Sequence, residues 1–143
     1  LAAFHREELG RFSVWPLPAS HALEKGAFLY LLAGAGKRIF IAYDSGWFAE
    51  PVWAWLAENA GQPLDCVVME CTAGPAAGGE EHMGFAEVLR TKDQLAKMGL
   101  LHPGTLCVTT HFSHTGGLLH HQLEEFFAPE GITVAYDGME VTV

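Results

Sequence analysis

The sequence predicts an α/β layered domain. Short apolar runs of strand length alternate with longer stretches of helical periodicity. The breaks between them fall on Gly, Pro and Asp. Half of the 143 residues are hydrophobic, with nine Phe and four Trp, which is enough to bury one core.

The elements follow in order. Residues 1–10 are polar-leaning and read as a frayed helix or a linker. Residues 12–14 read as a short strand stopped by Pro16 and Pro18. Residues 27–32 and 38–43 are apolar strands joined by the turn Gly34-Ala35-Gly36. Residues 49–60 read as a helix with Pro51 in its first turn and Val52, Trp55, Leu56 and Ala60 on one face. A strand at 64–69 leads into a Gly/Ala/Pro-rich loop at 73–79. In 85–98, Phe85, Val88, Leu89, Leu95 and Met98 share a helical face. A strand at 105–109 follows. The helix at 118–127 turns Leu119, Leu123, Phe126 and Phe127 inward and ends at Pro129 and Gly131. Strands at 132–136 and 140–143, joined by the tight turn Asp137-Gly138, close the chain as one domain, 1–143.

Only 17% of residues are charged, below the usual ~25%. This fits a piece that packs against something else. Acidic residues outnumber basic ones 17 to 8, and the Lys and Arg are scattered. The overall field therefore argues against nucleic acid as a partner. The three Cys, at 66, 71 and 107, show no zinc-knuckle spacing. They suit a reducing, cytoplasmic setting. No apolar stretch is long enough to span a membrane. The first residue is Leu rather than Met, so the expectation is a processed chain or an excerpt from a longer protein.

The chemistry lies where strands end. Asp44 follows one strand and precedes Ser45-Gly46. Glu70 follows the next and precedes Cys71-Thr72. His111 follows the third and leads into Phe112-Ser113-His114. Rigid strands position such loops, and three successive strand ends can converge on one edge. His and Asp are donors that suit a borderline divalent metal. The same residues have plainer uses: Asp before Ser-Gly is a common turn former, and a His after a strand can be a hydrogen-bonded structural group. Residue types alone leave both readings open.

The strings around these residues go further. Tyr43-Asp44-Ser45-Gly46, Glu70-Cys71-Thr72, Glu81-His82-Met83, Thr110-His111-Phe112-Ser113-His114 and Ala135-Tyr136-Asp137-Gly138-Met139 occur in this order. Together they resemble the C-terminal half of a metallo-β-lactamase-superfamily hydrolase, on the branch of the carbon–phosphorus lyase pathway phosphodiesterase. The resemblance runs from about residue 12 to the end. It implies the C-terminal half of an αββα sandwich, one mixed sheet with covering helices. It implies His21, Asp44 and His111 as metal ligands, with Asp44 bridging two metals. It implies His82 as the catalytic group at the scissile phosphate or leaving oxygen, with Glu70 behind it. His114 stands as a substrate contact, a partner of His111, or neither. The implied cofactor is a divalent metal, zinc or manganese, dinuclear in the complete family site.

The family's H-x-H-x-D-H motif is absent from these 143 residues. The N-terminal half that carries it is therefore expected to be missing, the metal site incomplete and the isolated chain inactive. An uncovered sheet face is also expected, needing a homo-oligomer or the missing N-terminal half as partner. Two functions follow. One is part of a metal-dependent hydrolase, a phosphodiesterase acting on a small or cyclic phosphate ester through metal-bound hydroxide. The other is a truncated or degenerate non-catalytic module that folds by association.

Overall fold

The computed structural model describes residues 2–22 and 25–143. It is a seven-stranded sheet whose spatial order is its sequence order. Strands β1 (Glu7–Leu9), β2 (Phe12–Pro18), β3 (Phe28–Gly34) and β4 (Lys37–Ala42) form an antiparallel meander. β5 (Cys66–Glu70), β6 (Leu106–Thr110) and β7 (Ile132–Val134) continue it in parallel. Helices α1 (Glu50–Asn59), α2 (Phe85–Lys97) and α3 (His120–Phe127) make the three parallel crossovers. The expected α/β fold with one mixed sheet is what forms. No helix among the described residues is long and apolar enough to cross a membrane.

Strand alternation sorts the sheet into two faces. Leu31, Phe40, Val67, Cys107 and Ile132 lie in one row of cross-strand partners, the pair Leu17 and Leu29 lies beside it on the same face, and all are buried. Val52 and Leu56 of α1, Val88 and Leu95 of α2, and Leu123 and Phe127 of α3 pack against them in one core. On the other face Tyr30, Leu32, Ile39, Ile41, Val68 and Leu106 stay partly exposed. There Val143 shares a cleft of about 370 Å³ with Phe12, Leu32, Gly34, Ala35, Lys37 and Ile39. The C-terminal tail thus crosses from β7 to the β3–β4 hairpin.

Several expectations change. Residues 7–9 of the expected linker are strand β1, registered Glu7 to Val14 and Leu9 to Phe12; Leu1 of that segment lies outside the described residues. The prolines do not stop β2, because the Pro16 carbonyl accepts Phe4 N–H on the side away from β3. Its nitrogen, and that of Pro18 two residues on, face that same outer side, so no bond to β3 is lost. Residues 140–143 form no strand: the tail lies over a sheet face rather than along a strand edge, so it has no ladder partner. In α1 it is Trp53 that is buried, with Trp55 only half-buried. In α3 Leu119 and Phe126 are exposed, and only Leu123 and Phe127 turn fully inward.

The hairpin turn is tight. Gly34 pairs with Lys37, and the two residues between have left-handed backbones, with φ of 52° at Ala35 and 75° at Gly36. This is the two-residue turn whose twist matches antiparallel strands. Glycine takes it freely and alanine does not. Ala35→Asn should therefore stabilise the chain by about 1 kcal/mol, the penalty that Asn largely escapes. The urea midpoint should rise without a change in slope.

All three cysteines are free and buried. Burial pushes the Cys66 thiol up from 9.0 to about 11. It pushes Cys71 up to about 12 and raises Cys107 as well. A raised thiol pKa favours the native state below the unfolded value, and that contribution is lost as pH rises through the folded values. The expected result at pH 8 is no reaction with a disulfide reagent in the native chain and reaction at all three sites in guanidinium.

Candidate metal centre

Three parallel strands in unbroken order carry their C-terminal ends to one edge. Ala42 is level with Met69, Met69 with Thr109, and Glu70 with Thr110. Asp44, Glu70 and His111 are therefore neighbours by register. His21 arrives from the loop after β2, and His82 from the loop before α2.

The rings and carboxylates converge. One ligand atom from each of His21, Asp44 and His82 lies within 4.8 Å of the other two. Asp44 Oδ1 is 3.4 Å from His111 Nε2 and 4.0 Å from His82 Nδ1. Ring centroids are 4.9 Å apart for His21 and His82, and 6.3 Å for His82 and His111. Tyr43 stacks on the far side of His111 at 6.4 Å.

Glu70 holds these loops together. Its side chain is fully buried. Oε1 accepts Ser45 N–H at 3.1 Å and the His82 Nδ1–H at 2.8 Å; Oε2 accepts Thr72 N–H at 2.7 Å. Ser45 Oγ in turn accepts Ser20 N–H at 3.0 Å, tying down the segment that carries His21. Glu81 Oε1 accepts Ala22 N–H at 2.9 Å from the other side. A Cβ on Gly46 would sit 2.2 Å from the Glu80 carbonyl, so the loop after Asp44 and the loop before His82 pack at a distance only glycine allows. Glu87 fixes the base of that second loop by accepting from Gly78 and Gly84 N–H.

Backbone strain is concentrated here. Among the described residues, five that are not glycine have left-handed backbones. Two are Asp44 (φ 45°) and His111 (φ 57°), and a third is Ala22 (φ 42°), next to His21. A left-handed backbone costs an ordinary side chain about 1–2 kcal/mol and Asp less, a cost that persists where surroundings force it and that often marks a functional site.

The donor set fits a divalent metal. Imidazole and carboxylate are the groups that zinc or manganese take. His21 Nδ1 is buried without a hydrogen-bond partner, an orphan that a ligand would satisfy. Two atoms bound to one zinc at 2.0–2.1 Å and a tetrahedral angle lie roughly 3.4 Å apart, and Asp44 Oδ1 and His111 Nε2 are 3.4 Å apart. The site is open to solvent. A cleft of about 490 Å³ lies beside His21, walled by Trp47 and Glu80. Another, of about 360 Å³, runs between Thr72, His82 and Thr115. Arg90 lies 3.6 Å over the Trp47 ring and props the first cleft's wall.

The structure brings together five of the six residues singled out by sequence: His21, Asp44, Glu70, His82 and His111. His114 sits exposed in a 3-10 turn, His114–Gly116. Among the described residues no hydrogen bond, ion pair or ring contact ties it to the cluster. Sequence reasoning missed Thr72 and Ser45. Both lie in strings that attracted attention, yet their roles depend on which loops meet.

No family model matches the chain, and no curated protein matches it. Solved structures do. The chain is similar to the metallo-β-lactamase fold protein YhfI from Bacillus subtilis, at 18% identity and a TM-score of 0.71, over 97% of this chain and 53% of that one. It is similar to Zn(2+)-bound PqqB from Methylobacterium extorquens, at 14% identity and a TM-score of 0.64, over 100% and 55%. It is also similar to a diphosphatase from the PhnP family, at 17% identity and a TM-score of 0.63, over 99% and 47%. The chain has the metallo-β-lactamase fold, and it spans about half the length of these proteins.

Glu70→Ala tests the framework independently of any activity. It strands the buried Ser45 N–H and the part-buried Thr72 N–H, each worth about 1–3 kcal/mol. The expected loss is about 3 kcal/mol by urea denaturation, with exchange of the Ser45 and Thr72 amides accelerated ahead of the sheet.

Proposed function

We propose that this chain, a metallo-β-lactamase domain by its fold, supplies one side of the active site of a metal-dependent hydrolase acting on phosphate esters. The observation that carries this reading is the convergence of donors on Asp44: His21 and His82 each offer an atom within 4.8 Å of it and of each other, His111 Nε2 lies 3.4 Å from its Oδ1, and Glu70 holds His82. His21, Asp44 and His111 would hold the metal, zinc or manganese, with Asp44 central to the other two. The metal's contribution, when bound, is Lewis-acid polarisation of a phosphoryl oxygen.

The chain's own residues have distinct tasks. His82 Nδ1 is taken by Glu70 at 2.8 Å, which fixes the ring and leaves Nε2 to face the cleft. That arrangement suits a proton donor to a leaving oxygen better than a metal ligand, because imidazole can hold and release a proton near neutral pH. Three imidazoles and, among the described residues, no Lys or Arg in the cluster leave phosphate charge to the metal and the imidazoles. A small or cyclic phosphodiester is the substrate class, supported by the strings Glu70-Cys71-Thr72 and Glu81-His82-Met83. That one structural neighbour is a diphosphatase agrees with a phosphoryl substrate. The partly exposed sheet face is read as the contact for a second sheet, from an N-terminal half with the H-x-H-x-D-H ligands or from a second copy. Three free, buried thiols fit a cytoplasmic setting.

The test has two arms. Equilibrium dialysis should show zinc binding to the chain, weakened by His21→Ala and lost in Asp44→Ala. Supplying an N-terminal half that carries H-x-H-x-D-H should yield hydrolysis of bis(p-nitrophenyl) phosphate, abolished by chelator and by Asp44→Ala. Full activity in Asp44→Ala would sink the central role of that residue. Failure of every form to bind metal would favour a non-catalytic module.

A further inference from the structure

We infer that Thr72 is a positioning residue that dictates which nitrogen His111 offers. Thr72 Oγ1 makes two contacts with the same residue: 3.1 Å to the His111 carbonyl and 2.9 Å to His111 Nδ1. A hydroxyl has one hydrogen. A carbonyl can only accept, so that hydrogen goes to His111 O. Oγ1 must then accept at its other contact, and the hydrogen between Oγ1 and Nδ1 belongs to the ring. His111 is therefore the Nδ1–H tautomer when neutral, and its bare nitrogen is Nε2.

The consequence falls on Asp44. Nε2 lies 3.4 Å from Asp44 Oδ1. With Nδ1 holding the hydrogen, a lone pair faces a carboxylate oxygen, and the pair is favourable only with a cation between them. The opposite tautomer would place an N–H there and form an ordinary hydrogen bond, closing the position. Thr72 thus keeps open the edge that a metal would occupy. The left-handed backbone of His111 (φ 57°) serves the same end, because it brings the residue's own carbonyl and Nδ1 within reach of one hydroxyl.

Thr72 also links the two imidazoles. Its backbone N–H donates to Glu70 Oε2 at 2.7 Å, while Glu70 Oε1 holds His82 Nδ1. Both rings are thereby gripped at Nδ1 and freed at Nε2, and their planes lie 23° apart. Thr72 thus holds the His111 ring directly and is joined to the His82 ring through Glu70, a part often played around bound metals by groups beyond the ligands themselves.

The metal part of this inference rests on the function proposed above; the tautomer part does not. The experiment is long-range ¹H–¹⁵N correlation of the ¹⁵N-labelled chain in chelator, at a pH where imidazole is neutral, followed by zinc titration. Wild type and Thr72→Ser should show His111 as Nδ1–H, and Thr72→Val should move it to Nε2–H, the form free imidazole side chains favour. Zinc affinity should fall by about 10–100-fold in Thr72→Val and be retained in Thr72→Ser. An Nε2–H signal for His111 in the wild type overturns the inference, as does Nδ1–H persisting in Thr72→Val. Should Thr72→Val fail to fold, the wild-type and Thr72→Ser spectra decide alone. The Nδ1–H form without zinc binding in any variant would uphold the role of Thr72 and count against the metal reading.

Discussion

A carboxylate with no access to water needs every lone pair answered, and Glu70 is that group in this molecule. It sits at the end of an interior parallel strand, with β4 on one side and β6 on the other. Its partners come from the loop after β4, from its own loop and from the loop before α2. Beyond these bonds the loop after β5 and the loop before α2 are joined, among the described residues, by a single parallel bridge, Gly74 to Gly84. The demand of one buried side chain thus becomes the framework of a site, and the sheet below supplies the rigid post from which it acts.

The energetics of the edge point the same way. Left-handed backbones at Asp44 and His111, a packed glycine at 46 and an unpartnered His21 nitrogen are all costs. They are borne by a core that lies below them, built on Leu31, Phe40 and Val67. Such costs are expected where the arrangement answers to a ligand rather than to folding. The network of Glu70, Ser45 and Thr72 holds histidines and a carboxylate close together with lone pairs facing one another. A cation is what would make that arrangement favourable.

The other side of the sheet obeys a different constraint. Among the described residues no helix covers its apolar residues, and the C-terminal tail reaches them at Val143 without a strand to pair with. The chain spans about half the length of the folds it resembles. A cluster of His and Asp donors at one sheet edge and, among the described residues, helices over one sheet face only belong to a chain that spans about half of those folds.

Much of this was legible in the sequence, and the reasons are local. The apolar runs of β3 to β6, the helical faces of α1 and α2 and the placement of Asp44, Glu70 and His111 past strand ends all follow from periodicity and breakers. The strings around them carried the resemblance that the fold bears out, because short loops keep their residues contiguous. What could not be read depended on neighbours distant in the chain. Whether Pro16 ends a strand depends on which side β3 lies. Whether residues 140–143 become a strand depends on an edge being free. That His82, coming from a Gly-rich loop, meets Asp44 depends on Gly46 letting two loops touch. The sequence by itself determined the strands β3 to β6, the helices α1 and α2 and which titratable residues stand past strand ends, since these answer to residues a few positions away. Only the tertiary structure decided which nitrogen each histidine presents, because that choice is made by hydrogens on Glu70's partners and on Thr72, brought there by parallel register across three strands.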